Sequence, residues 1–107
     1  MMMSQSFNRR HSPNRRKTRV DAVMALDDTY YPVTIRDISY AGMRVRVPTE
    51  VEIEVGSPIT LLFLSHRIPA IVHWYKQGFI GVHLLERLNG QTLLVLENAE
   101  DELAAFR

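Results

Sequence analysis

Two arginines four residues apart, Arg15 and Arg19 in RRKTR (15–19), precede a carboxylate, a hydroxyl and a glycine: Asp37, Ser39 and Gly42 of DISYAG (37–42). A guanidinium donates two parallel hydrogen bonds to the O6/N7 edge of guanine, clamps a pair of phosphate oxygens, or stacks on a purine face. A carboxylate accepts from guanine N1 and N2, the edge those arginines leave unused. The serine hydroxyl adds a short donor and acceptor. The glycine lets backbone approach a ligand closely or turn with positive φ. Together these types complement a guanine and its phosphate from several sides. Within the arginine-rich stretch the register is unique, because the residues four after Arg9, Arg10 and Arg16 are Pro13, Asn14 and Val20. Arg16 is an additional candidate clamp or stacking platform. DISYAG by itself also reads as an Asx- or Ser-turn joining two strands.

Other chemistry is poorly represented. There is no GxxxxGK[ST], GxGxxG or HExxH, and no cysteine to serve as nucleophile. His73 and His83 can approach each other across the last hairpin. A zinc site would need two further ligands, however, and no Asp or Glu lies in those strands. Neither a metal nor a cofactor is expected, and the lack of a base–nucleophile pair argues against an enzyme.

The elements that must position these residues emerge from hydropathy. Residues 1–17 show no apolar periodicity and contain Pro13, so they are expected to form a flexible basic arm. RVDAVMAL (19–26) is β-compatible, and Asp27-Asp28 supply a turn. Along YYPVTIRDIS (30–39), alternation puts Val33, Ile35 and Asp37 on one side and Thr34, Arg36 and Ile38 on the other. Asp37 and Ser39 then point the same way and can address one ligand. MRVRV (43–47) turns Met43, Val45 and Val47 inward and Arg44 and Arg46 outward. VEIEV (51–55) alternates among acids and suggests an edge or loop strand. ITLLFL (59–64) comes next, and RIPAIVHWYK (67–76) pairs with FIGVHLL (79–85) as a hairpin around Gln77-Gly78. Asn89 is a candidate N-cap for a final helix whose apolar face comprises Leu96, Ala99, Leu103 and Phe106. The expected fold is all-β: a six-stranded antiparallel β-barrel over residues 18–88 with a C-terminal α-helix over 89–107.

At 107 residues the chain suffices for one core. Its net charge of +1 hides a polarity. Residues 1–20 carry Arg9, Arg10, Arg15, Arg16, Lys17 and Arg19 and no acid, whereas Glu97, Glu100, Asp101 and Glu102 cluster near the end. A basic end of this kind points to an anionic ligand. No run of eighteen apolar residues and no apolar leader segment occur, so a cytoplasmic protein is expected.

These features resemble the PilZ domain, the bacterial receptor module for cyclic di-GMP. The resemblance covers about residues 14–88. It rests on RRKTR, on DISYAG and on AIVHWYKQGFIGVHLLE (70–86), which is similar to the family's W…G…GV.F ending with Leu84 or Leu85 in place of Phe. It implies a six-stranded antiparallel barrel with C-terminal helical structure. It also implies that Arg15 and Arg19 contact phosphate and the guanine O6/N7 edges, that Asp37 and Ser39 hold a guanine from the other side, and that Gly42 shapes the turn. In this family the residue before RxxxR influences whether one or two ligand molecules bind; here it is Asn14. Arg44 and Arg46 are expected to be ordinary solvated strand residues, and Trp74 to pack in the core with an edge near the ligand. The partners implied are cyclic di-GMP and an effector protein of motility, envelope or polysaccharide machinery, reached by ordering of the arm. Two other classes remain open. One is an interaction adaptor of the same fold that ignores nucleotide. The other is a small nucleic-acid-binding barrel, which would lack the interleaved exposed aromatics used for base stacking.

Overall fold

Period-two hydropathy becomes a closed sheet. In a computed structural model, which describes residues 16–105, six strands form: β1 (Arg16–Leu26), β2 (Thr29–Ile38), β3 (Gly42–Arg46), β4 (Pro58–Phe63), β5 (His66–Lys76) and β6 (Phe79–Leu84). One helix, α1 (Gly90–Ala105), completes the described chain. Every strand pair is antiparallel, and the order β1-β2-β3-β6-β5-β4 closes through β4 against β1, leaving no free edge. The expected six-stranded barrel with a C-terminal helix is therefore the architecture of the chain. Arg15 and the rest of residues 1–15, and also Phe106, lie outside the described residues. β1 starts at Arg16, so Arg16 and Lys17 are paired with β2 and belong to the barrel rather than to an arm.

The interior is filled by alternate residues of all six strands. Met24, Ile35, Ile38, Leu61, Val45, Val72 and Ile80 are essentially inaccessible, and burying such side chains contributes roughly 1.5–3 kcal/mol each. No strand forms over 51–55. Its alternation is nevertheless used, since Val51 and Ile53 point into the core while Glu52 and Glu54 stay exposed. The loop is tied to β5 by hydrogen bonds from Gly56 N to Val72 O at 2.7 Å and from Val72 N to Ser57 O at 2.9 Å. The β5–β6 hairpin turns at Gln77 (φ 55°) and Gly78 (φ 82°). Two successive positive φ values match the right-handed twist of the flanking strands.

α1 begins as a capped helix: Asn89 Oδ1 accepts from Thr92 N at 2.8 Å. Leu93 and Leu96 are buried, and the helix packs on β1 and the adjoining part of β2. The Thr18 hydroxyl donates to Leu96 O at 2.9 Å, and Arg16 forms an ion pair with Glu97, so the start of β1 is fastened to α1. Among the described residues no helix is long and apolar enough to cross a membrane.

Candidate functional site

Three irregularities in the sheet decide which side chains meet on its outer face. On β2, Ile35 faces Val45 and Asp37 faces Arg44, so Arg36 is an extra residue with no partner on β3. Ile35 and Ile38 are consequently both fully buried although three residues apart. The expected grouping of Asp37 with Val33 and Ile35 is thus wrong: the bulge turns Asp37 outward and sends Ile38 into the core. Asp37 and Ser39 still share a face, now the outer one. On β5, Val72 pairs with Val82 and Trp74 pairs with Gly81, leaving His73 as the extra residue. This second bulge turns Trp74 out of the interior, where simple alternation with Val72 would place it. Trp74 is 38% exposed, so the expectation that it packs in the core is also corrected. The third bulge lies on β1, where Lys17 faces Asp37 and Val20 faces Ile35.

The outcome is a row of facing residues across four strands, Asp37–Arg44–Gly81–Trp74, on the barrel's outside. Gly81 makes the row possible, because a Cβ there would collide with the indole Nε1 of Trp74. The ring instead lies over bare backbone. One step along, Gly42 faces His83, and the His83 ring meets His73 edge-on with centroids 4.3 Å apart. The expected approach of the two histidines therefore occurs. Among the described residues no group of three or more His, Cys, Asp or Glu is placed to hold a metal.

These residues line a groove of about 280 Å³ that includes Asp37, Ser39, Gly42, Arg44, His73, Trp74 and His83. Asp37 is the one buried charged side chain among the described residues, and its Oδ2 accepts from Arg44 Nε at 2.5 Å. Arg44 also lies 4.7 Å from the centre of the Phe79 ring, with Arg46 at 5.4 Å from the same ring. Arg44 is thus held by a carboxylate and a ring, not merely solvated, and sequence reasoning undervalued it. The available signal was its place as the first outward residue after DISYAG, on the strand that must pair with Asp37.

Ser39 is a turn residue here. Its Oγ accepts from Gly42 N at 3.1 Å and lies 3.1 Å from Gly42 O, and Ser39 N donates to the same carbonyl at 2.9 Å. The Ser-turn reading of DISYAG is therefore realised, at the lip of the groove. Gly42 is required by close approach rather than by positive φ, since a Cβ would lie 2.9 Å from Val82 O. The arginines of RRKTR are placed differently. Arg16 forms an ion pair with Glu97 of α1 and does not line the groove. Arg19 is exposed beside inward-facing Val20 and does not line the groove. Arg15 is outside the described residues. The structure therefore gathers Asp37, Ser39 and Gly42, adds Arg44, Trp74 and the histidine pair, and leaves Arg16 and Arg19 at the margin.

A family model for the PilZ domain matches residues 8–99, from before RRKTR to the middle of α1. The chain belongs to the PilZ domain family. PilZ domains are generally receptors for cyclic di-GMP, and binding rather than catalysis is their common property. Among solved structures, the crystal structure of the PilZ domain of CeSA from a cellulose synthesizing bacterium is similar. It has a TM-score of 0.56 and 16% identity, covering 84% of this chain and 97% of that one. At that identity the likeness shows a shared PilZ fold. No curated protein matches the sequence.

Proposed function

We propose that this PilZ domain is a non-catalytic receptor that binds cyclic di-GMP in the groove formed by DISYAG and the outer faces of β3, β5 and β6. The observation that carries the reading is the convergence of Asp37, Ser39 and Gly42 on one groove with a guanidinium, an indole and two imidazoles. In this reading Asp37 accepts from guanine N1 and N2, and Trp74 offers an apolar plane to a base. Ser39 and Gly42 hold the lip of the groove in shape. Arg19 reaches the phosphates and the O6/N7 edge from β1, whose Lys17 already stands opposite Asp37, and Arg15 does the same from the residue before that strand. Arg16 joins them by leaving Glu97.

The signal leaves through the basic residues that precede β1, which the anion draws onto the barrel, creating a surface for an effector protein in the cytoplasm. Motility, envelope or polysaccharide machinery is the class of effector that the family implies. A second reading, an adaptor indifferent to nucleotide, has one observation in its favour: Asp37 and Ser39 already have partners within the fold. Calorimetric titration of cyclic di-GMP into wild type, Arg15→Ala and Asp37→Ala separates the two. The receptor reading expects binding by wild type and a loss of about tenfold or more in each variant. Equal binding by all three would remove the site assignment, and no binding by wild type would favour the adaptor.

A further inference from the structure

The side of the barrel opposite the groove carries almost no charge. In the closed order β1-β2-β3-β6-β5-β4, the neighbours β1 and β4 lie across the barrel from β3 and β6, which help to line the groove. Cross-strand register sets two rows of outward residues there. Pro32, Val23 and Leu62 face one another across β2, β1 and β4, with Arg67 of β5 at the end of the row. Two residues along, Tyr30, Ala25, Thr60 and Pro69 form the second row. Val23 is 37% and Tyr30 67% exposed, Pro32 is exposed, and Leu62, Ala25, Thr60 and Pro69 are half-buried. Arg67 is the one charged side chain in the two rows. The outward face of an antiparallel sheet is ordinarily polar, and a contiguous apolar patch on it marks a contact surface.

We infer that this face is the contact surface of a homodimer, in which a second copy of the chain packs on it about a two-fold axis. An isologous contact sets a patch against itself, so a charge near the axis would meet its own like, and the two rows avoid this. The charges that flank the rows are opposite in sign: Asp21, one outward position before Val23 on β1, and Arg67, two strands away on β5. Among the described residues neither has an ion pair. A two-fold axis through the middle of the patch, at right angles to the line joining them, lays each Asp21 against Arg67 of the second copy. Prolines close the other route to self-association. Pro32 and Pro69 sit where β2 has no partner in β3 and β5 has none in β6, and neither has an N–H to offer an added strand. The contact is therefore face to face. Four strands about 4.8 Å apart and three outward positions about 6.8 Å apart cover roughly 400 Å². That is about half of the ~800 Å² per partner in a standard interface, so the dimer is weak and concentration-dependent. Each copy keeps its groove on the far side, and the inference does not rest on the cyclic di-GMP reading.

Sedimentation velocity of the full chain, over a concentration series reaching about 1 mM, is expected to show a monomer–dimer equilibrium. Amide shifts at residues 21–25, 30–32, 60–62 and 67–69 are expected to move with concentration. Val23→Lys and Leu62→Lys each put a charge into the first row of both copies. Each is expected to weaken the dimer about tenfold or more, with far-ultraviolet circular dichroism and cyclic di-GMP affinity unchanged, since neither residue lines the groove. Asp21→Arg is expected to weaken the dimer as well, and the Asp21→Arg/Arg67→Asp double variant, which exchanges the two charges, to restore it. A wild type that stays monomeric throughout the series would overturn the inference and leave the face to a different protein. A dimer untouched by folded Val23→Lys and Leu62→Lys would also overturn it, by placing the interface elsewhere. A double variant no better than Asp21→Arg would overturn the two-fold arrangement.

Discussion

Gly81 and Trp74 show how much of the site depends on single atoms. The chain has one tryptophan, and its ring occupies the space where a Cβ on Gly81 would stand. The three nearest atoms to that Cβ all belong to the indole, a partly exposed side chain, so an added methyl displaces the ring and leaves the strands paired. Gly81→Ala is therefore expected to shift Trp74 emission to longer wavelength with the far-ultraviolet circular dichroism unchanged, and to weaken cyclic di-GMP binding. Unaltered emission would mean that the indole does not rest on Gly81. Gly42 is a harder case, because its neighbour is the Val82 carbonyl, which belongs to a strand and cannot step aside. The residue types in DISYAG suggest ligand chemistry in the sequence, and the fold brings Asp37, Ser39 and Gly42 to one groove. That Ser39 and Gly42 act by clamping their own turn was legible only as an alternative, since a hydroxyl and a glycine at this spacing serve either purpose.

At the scale of elements, strand alternation carried most of the information and failed at the bulges. Met43, Val45, Val51 and Ile53 face inward as their parity requires. Asp37, Ile38 and Trp74 do not, because one extra residue on β2 and one on β5 reverse the parity of the positions beyond them. Nothing in a period-two pattern marks where an extra residue is absorbed; the fit of the neighbouring strand decides it. Both misplacements fall at the groove, where the bulges re-aim side chains toward a common point. The helix was legible from Asn89 and its apolar spacing, and its docking can be tested separately from the groove. Leu96, on the barrel-facing side of α1, is fully buried, while none of the groove residues belongs to that helix. Leu96→Ala is expected to cost about 2–5 kcal/mol in urea denaturation, with cyclic di-GMP affinity unchanged under conditions where the protein is folded. A loss of affinity equal to that of Asp37→Ala would instead tie α1 directly to the ligand.

For the whole molecule, closure of the sheet puts the groove on the outer face of β2, β3, β6 and β5. The inside is filled with apolar side chains, so in the proposed function RRKTR and DISYAG work from outside or from the rim. β1 connects that face to α1, since Lys17 stands opposite Asp37 while Arg16 and Thr18 hold Glu97 and Leu96. A ligand that engages RRKTR therefore acts on a strand already fastened to two parts of the fold. A second groove, of about 210 Å³ between the start of β5 and residues 86–92, provides an internal control. The most direct measurement is the amide chemical-shift map of the full chain on titration with cyclic di-GMP. The largest changes are expected at residues 37–44, 73–74 and 81–83, with the Trp74 indole among them. No change, or changes confined to residues 66–69 and 86–92, would contradict the account.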